Sequence, residues 1–132
     1  MDPVRRRQLR PDKTTLRILV VDDDPDACDI LTHVLAHLGY SAVCIQDSVE
    51  ALRRLQREHF DLLLLDLVMP GLSGFDLLRA ARSASSRAAA VAVSSYNEFR
   101  HKALDVGFDS FVAKPVELAK LRPLLEGLQP TA

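Results

Sequence analysis

Apolar and polar positions along this chain fall into two alternating patterns: short runs of consecutive apolar residues, and longer segments whose apolar residues recur at spacings of three and four. The first pattern predicts strands buried on both faces, the second amphipathic helices. Leu16 to Val21 (LRILVV) reads as a strand ending in Asp22-Asp23-Asp24. The helix after it carries Ala27, Ile30, Leu31, Val34, Leu35 and Leu38 inward and stops at Gly39. Ser41 to Ile45 is a weaker strand. The following helix turns Ala51, Leu52 and Leu55 inward and Arg53, Arg54 and Arg57 to water, with Asp47 or Ser48 as its cap. Asp61 to Leu67 is a third strand, although leucine by itself favours helix; flanking helical segments make the strand reading sensible. Beyond the Met69 to Gly74 loop come a helix (Phe75 to Ser83), a strand (Ala89 to Val93), a helix (Asn97 to Val106) closed by Gly107, a strand (Ser110 to Ala113) and a last helix (Glu117 to Leu128). Pro123 removes one hydrogen bond from that last helix and is expected to kink or delay it.

Strand and helix thus alternate through five pairs, the pattern of an α/β fold with a parallel sheet. The expected architecture is a doubly wound, flavodoxin-like (βα)5 domain whose five strands take the order 2-1-3-4-5. A length of 132 residues and a hydrophobic content of 48% suit one domain with a real core.

Charge changes the picture at one end only. The net charge of -1 argues against a dedicated nucleic-acid binder, but Arg5, Arg6, Arg7, Arg10 and Lys13 all lie near the start, with Pro3 and Pro11. Residues 1–15 are therefore expected to be a solvated, disordered basic tail, able to touch acidic partners or nucleic acid, and 16–128 the folded domain. Ile18 to Val21 is too short for the apolar core of a signal peptide, which needs roughly 7 to 15 residues. No segment is long enough to span a bilayer, so no membrane partner is expected. With only Thr131 and Ala132 after Gln129-Pro130, no output domain is expected. Cys28 and Cys44 lack metal-ligand spacing and are too few for a disulfide framework; two reduced, buried thiols and a cytoplasmic location are the expectation.

The candidate chemistry sits at strand ends. In an open parallel sheet ligands bind outside the carboxyl ends of the strands, where strand order reverses. Here those ends deliver Asp22 and Asp23, Asp66, Ser94 and Lys114. Each has a plain reading: the acids could cap a helix, Ser94 could open a turn, Lys114 could reach solvent. Together they converge on one crevice. Two carboxylates about 4 Å apart repel by roughly 4 kcal/mol at an effective dielectric near 20, so such a trio must bind protons or a cation. Oxygen ligands without histidine or cysteine favour Mg²⁺, which commonly takes its remaining ligands from phosphate. Asp66 is then the natural phosphoryl acceptor, with Lys114 and Ser94 holding the phosphoryl oxygens. Leu62 to Leu65 anchor the strand that aims it, each contributing roughly 1.5 to 3 kcal/mol on burial.

The stretches ILVVDDDPD (Ile18 to Asp26), DLLLLDLVMPGLSG (Asp61 to Gly74), VAVSSY (Val91 to Tyr96) and GFDSFVAKPV (Gly107 to Val116) give the chain, from about Leu16 to Leu128, a close resemblance to a known family. It resembles the receiver domains of two-component response regulators, the CheY-like fold. The resemblance implies that Asp66 is phosphorylated by a histidine kinase or histidine phosphotransfer protein. It implies that Asp23 ligates Mg²⁺ directly, Asp22 through water, and Val68 through its backbone carbonyl. Ser94 resembles the switch hydroxyl, Phe111 the switch aromatic and Lys114 the phosphate-pairing lysine, with a cis Lys114-Pro115 bond. The implied readout is a changed surface on the fourth helix, fifth strand and fifth helix, met by a downstream protein effector. No enzymatic turnover is implied beyond the domain's own phosphorylation and dephosphorylation.

Two features depart from the family pattern: the segment from Ser94 to Lys114 is short, which predicts a short or displaced fourth helix, and Pro123 perturbs the fifth. Val68 and Tyr96 occupy the two variable positions that tune acyl-phosphate hydrolysis in the family, and neither side chain is an acid or amide placed to orient attacking water, so slow dephosphorylation is expected. Two other functions could use parts of this site. An aspartate-based phosphohydrolase would want a second acid two residues beyond the nucleophile, and Asp66-Leu67-Val68 lacks it. A phosphorylation-independent interaction module would not need the full set of Asp22, Asp23, Asp66, Ser94 and Lys114.

Overall fold

Four consecutive leucines belong to a strand here because both faces of that strand are covered. In the computed structural model, which describes residues 16–127, β3 runs Leu62–Asp66 with every residue buried. Leu63 and Leu65 join one apolar cluster and Leu62 and Leu64 the other, on opposite sides of the sheet. Period-two alternation assigns the neighbouring strands in the same way: β1 (Ile18–Val21) sends Leu19 and Val21 one way and Ile18 and Val20 the other. β4 (Ala89–Ser94) splits Ala90 and Ala92 from Val91 and Val93, and β5 (Ser110–Ala113) splits Phe111 from Val112.

The helices complete three layers. α1 (Pro25–His37) and α5 (Leu118–Glu126) cover one face with Leu31, Leu35, Leu121 and Leu125. On the other, α2 (Ser48–Arg57), α3 (Gly74–Ser83) and α4 (Arg100–Val106) bring Ala51, Leu55, Leu77, Leu78, Ala81 and Ala103. With β2 (Ala42–Ile45) at one edge, the five parallel strands take the order β2-β1-β3-β4-β5, as expected from the sequence. No helix among the described residues is long and apolar enough to cross a membrane. The expected basic tail, residues 1–15, and the positions from Leu128 onward lie outside the described residues.

Several expectations are corrected in detail. Ile30, expected in the core, is half exposed, and Arg54, expected in water, folds back onto Glu58 and over the Phe60 ring at 6.0 Å. The fourth helix is indeed short: Asn97–Phe99 forms a 3₁₀ turn and only Arg100–Val106 is α-helical. Helix α5 begins at Leu118 and runs through Pro123 to Glu126.

The largest correction concerns the cysteines. Cys28 and Cys44 are not two free thiols but are bonded to each other, their Cα atoms 5.8 Å apart. The first turn of α1 lies against β2, which brings together two positions separated by sixteen in sequence. Counting cysteines could not anticipate that packing, and the bonded pair gives no sign of a reducing compartment.

Candidate functional site

Parallel pairing places the acids. Val21 of β1 lies in register with Leu65 of β3, so the residues that follow, Asp22 and Asp66, emerge side by side at the carboxyl edge. Asp66 is in turn paired with Val93, whose successor Ser94 ends β4 and is in register with Ala113, just before Lys114. The Lys114 amide donates to the Ser94 carbonyl at 2.9 Å, and the Lys114-Pro115 bond is cis. Carboxylate oxygens of Asp22, Asp23 and Asp66 lie within 4.8 Å of one another; Asp22 and Asp66 are buried and Asp23 is exposed.

Each buried carboxylate is held from one side. Asp22 Oδ1 accepts from the Asp24 amide at 3.0 Å, and Asp66 Oδ1 from the Val68 amide at 3.2 Å. The Lys114 ammonium serves the other side, 2.7 Å from Asp22 Oδ2 and donating to Asp66 Oδ2 at 3.2 Å. Its contact with Asp22 is an ion pair without hydrogen-bond alignment, so Asp22 Oδ2 stays buried with no aligned donor. Burial, and then the charge of Asp22, push the Asp66 carboxyl up to about 6 against the opposing pull of Lys114 and the Val68 amide. Burial works to lower the Lys114 ammonium, but its contacts with Asp22 and Asp66 outweigh that and hold it above its ordinary value.

One lysine against three carboxylates leaves an excess of negative charge in a crevice where two of the acids are buried. The donor set is all oxygen, and the atoms lie close enough to share one ion. These residues fit a small divalent cation of the magnesium type.

The plain reading holds for Asp24 alone among the first three acids: its side chain accepts from the Asp26 amide and caps α1. Ser94 is buried, its hydroxyl accepting from the Tyr96 amide at 3.0 Å. Phe111 is also buried, with the Arg100 guanidinium 4.7 Å above its ring. Val68 and Tyr96 are about half exposed, at 48% and 49%.

The loop after Asp66 has supports that the sequence did not reveal. Ser48 does not cap α2, which Asp47 does; it is buried, donates to the Pro70 carbonyl at 3.3 Å and accepts from the Leu72 amide at 3.0 Å. With partners more than twenty residues away, nothing near Ser48 in sequence signals this. Ser73 and Asp76 form a reciprocal capping box at the start of α3. Gly74, the first residue of that helix, backs onto Asp66: a Cβ there would fall 2.5 Å from the Asp66 carbonyl oxygen. A glycine opening a helix right after a good N-cap was the readable hint.

Known proteins resemble this chain over most of its length. The family model described as the response regulator receiver domain matches residues 18–126. Response regulator MprA of Mycobacterium leprae is 34% identical over 121 residues; the match takes in 87% of this chain and 53% of that protein, so the chain spans about half its length. Response regulator TrrA of Thermotoga maritima, solved in complex with Mg²⁺-BeF, superposes with a TM-score of 0.77 at 28% identity, covering 85% of this chain and 97% of the other. The receiver domain of a Pseudomonas aeruginosa sensor histidine kinase, with a magnesium ion coordinated in its active site cleft, gives a TM-score of 0.75 at 28% identity, covering 84% and 94%.

Proposed function

Because this chain belongs to the response regulator receiver domain family, we propose that it is a phosphorylation-controlled signalling domain in which Asp66 accepts a phosphoryl group from a histidine kinase or a histidine phosphotransfer protein. The observation that carries this reading is the position of Asp66: last residue of a fully buried strand, facing two further acids, with a lysine at 3.2 Å.

Asp22, Asp23 and Asp66, with the Val68 backbone carbonyl, would hold Mg²⁺. That cation supplies positive charge that offsets the carboxylates and the incoming phosphoryl oxygens. A carboxylate oxygen of Asp66 attacks phosphorus, the phosphorus-nitrogen bond of the donor imidazole breaks, and the bonding pair leaves with the imidazole. The rigid β3 strand orients the nucleophile, while the Lys114 ammonium and the Ser94 hydroxyl stabilise the transferred oxygens. Water later hydrolyses the acyl phosphate, slowly, because neither Val68 nor Tyr96 supplies an acid or amide to orient it.

The readout is a population shift. Ser94 turns from the Tyr96 amide toward the phosphoryl group, the loop after β4 moves, Phe111 repacks, and the α4-β5-α5 surface presents a new face to a downstream protein effector. The location proposed for this activity is the cytoplasm. A domain of this kind turns over no substrate beyond its own phosphoryl group.

The test is acetyl phosphate with Mg²⁺, read by intact-protein mass. The expected result is one added phosphoryl group, absent with chelator and absent in Asp66→Asn. Addition to Asp66→Asn at the wild-type level, or none to the wild type, overturns the proposal.

A further inference from the structure

Away from the acidic crevice, α3 and α4 flank a groove of about 420 Å³ whose floor and walls include Phe75, Leu78, Val106, Arg79, Arg82 and Lys102. Among the described residues three cations and no acid line it, on a domain that is otherwise acidic. The first fifteen residues hold five of the 17 lysines and arginines and two of the 18 acids, which leaves the remainder at a net charge of -4. Against that background the groove is a segregated positive patch over an apolar base.

The cations differ in availability. Arg82 is committed, donating to the Ala88 carbonyl at 2.9 Å and lying 4.0 Å from Asp109. Arg79 is mostly exposed and among the described residues pairs with Asp76 alone, at 3.3 Å, an exposed pair of small worth. Lys102 rests on the Phe75 ring at 4.8 Å with its ammonium in water. Arg79 and Lys102 are thus free to exchange solvent for a carboxylate, over apolar surface that gains from being covered.

We propose that this groove docks a short acidic segment of a partner protein, with Asp or Glu side chains meeting Arg79 and Lys102 and one aliphatic or aromatic residue seated between Phe75, Leu78 and Val106. Charge complementarity selects that occupant. A nucleic acid would meet repulsion from the rest of the domain. The Phe75 ring, carrying Lys102 and packed against Phe99 and Phe108 at 6.3 and 6.0 Å, leaves a base no open stacking face. The proposal does not depend on phosphorylation of Asp66.

The test selects a random peptide library displayed on phage against the full chain, then measures the synthetic form of the most enriched peptide by calorimetry. Enriched peptides are expected to carry acids around one apolar residue, to bind more weakly as salt rises, and to lose about tenfold in affinity to the Arg79→Glu/Lys102→Glu double variant. Lys120→Glu, on α5 outside the groove, should bind as the wild type does, and thermal melts establish that both variants are folded. Enrichment without acidic bias, or an affinity that the double variant leaves unchanged, overturns the proposal. So does a concentration-dependent dimer in sedimentation that the double variant abolishes, since the groove would then belong to a second copy of this chain.

Discussion

The ammonium of Lys114 stands closer to Asp22 than to Asp66, 2.7 Å against 3.2 Å, so the lysine bridges two buried acids rather than serving one. It is the positive charge that makes this pair of buried carboxylates tolerable in the folded chain. Removing one partner of a buried ion pair leaves the others uncompensated. Lys114→Ala should therefore lose about 2 kcal/mol of stability in chelator, less than a fully buried pair would because the lysine is partly exposed. Mg²⁺ should recover more of that loss than it adds to the wild type. Urea unfolding with EDTA and with Mg²⁺ measures both, and equal gains in the two proteins would contradict the assignment.

Asp23 is exposed, so Asp23→Asn should leave metal-free stability within about 0.5 kcal/mol of the wild type. Its contribution lies in the cation. Wild-type stability should rise by about 1.4 kcal/mol at a Mg²⁺ concentration ten times the dissociation constant, and the variant should need about tenfold more Mg²⁺ for the same rise. Thermal melts across a Mg²⁺ titration decide it.

Gly74→Ala reverses an ordinary sign. Replacing glycine by alanine usually stabilises a compatible site by about 0.4 to 1 kcal/mol. Here the new Cβ would meet the backbone oxygen of Asp66 at 2.5 Å, and neither backbone can yield without disturbing β3 or α3. The expected change is a loss of about 1 to 3 kcal/mol, visible as a lower urea midpoint. A more stable variant would show that the loop relaxes freely.

The capping box predicts a pH dependence. Hydrogen bonds from the Ser73 amide and hydroxyl hold the Asp76 carboxyl below its ordinary value of 3.8. A carboxyl lowered by folding contributes stability that is fully present above the unfolded value and is lost as pH falls through the folded one. Asp76→Ala should cost about 1 kcal/mol at neutral pH, and the two unfolding curves should converge as the pH drops below about 4. A gap that persists at low pH would mean the side chain acts through packing instead.

Val68→Asn should shorten the lifetime of the acyl phosphate about tenfold, by placing an amide where water can be oriented. Phosphate release from the loaded protein, followed in Mg²⁺, measures it. A wild type that hydrolyses faster than the variant would defeat the reading of Val68 and Tyr96 as permissive bystanders.

The placement of Asp22, Asp66, Ser94 and Lys114 at strand ends was legible because two short-range signals coincide there. Apolar runs mark where strands lie, and a polar residue ending such a run marks the carboxyl edge. The support of the site was less legible. Ser48 looked like a helix cap, because serine before a helix usually is one, yet its hydroxyl holds the loop at Pro70 and Leu72. Ile30 fitted the helical period but fell on its margin, where it is half exposed.

The sequence by itself determined the alternation of strand and helix, the two-faced burial of Leu62 to Leu65 and the residue types that reach the crevice, since these depend on periodicity and on chemistry within a few positions. Only the tertiary structure decided which of those groups touch: the Lys114 bridge to Asp22, the approach of Gly74 to Asp66, the Cys28–Cys44 bond and the cations gathered between α3 and α4. Such contacts join positions far apart in the chain, and their distances follow from how helices settle on a twisted sheet, which no local pattern of residues encodes.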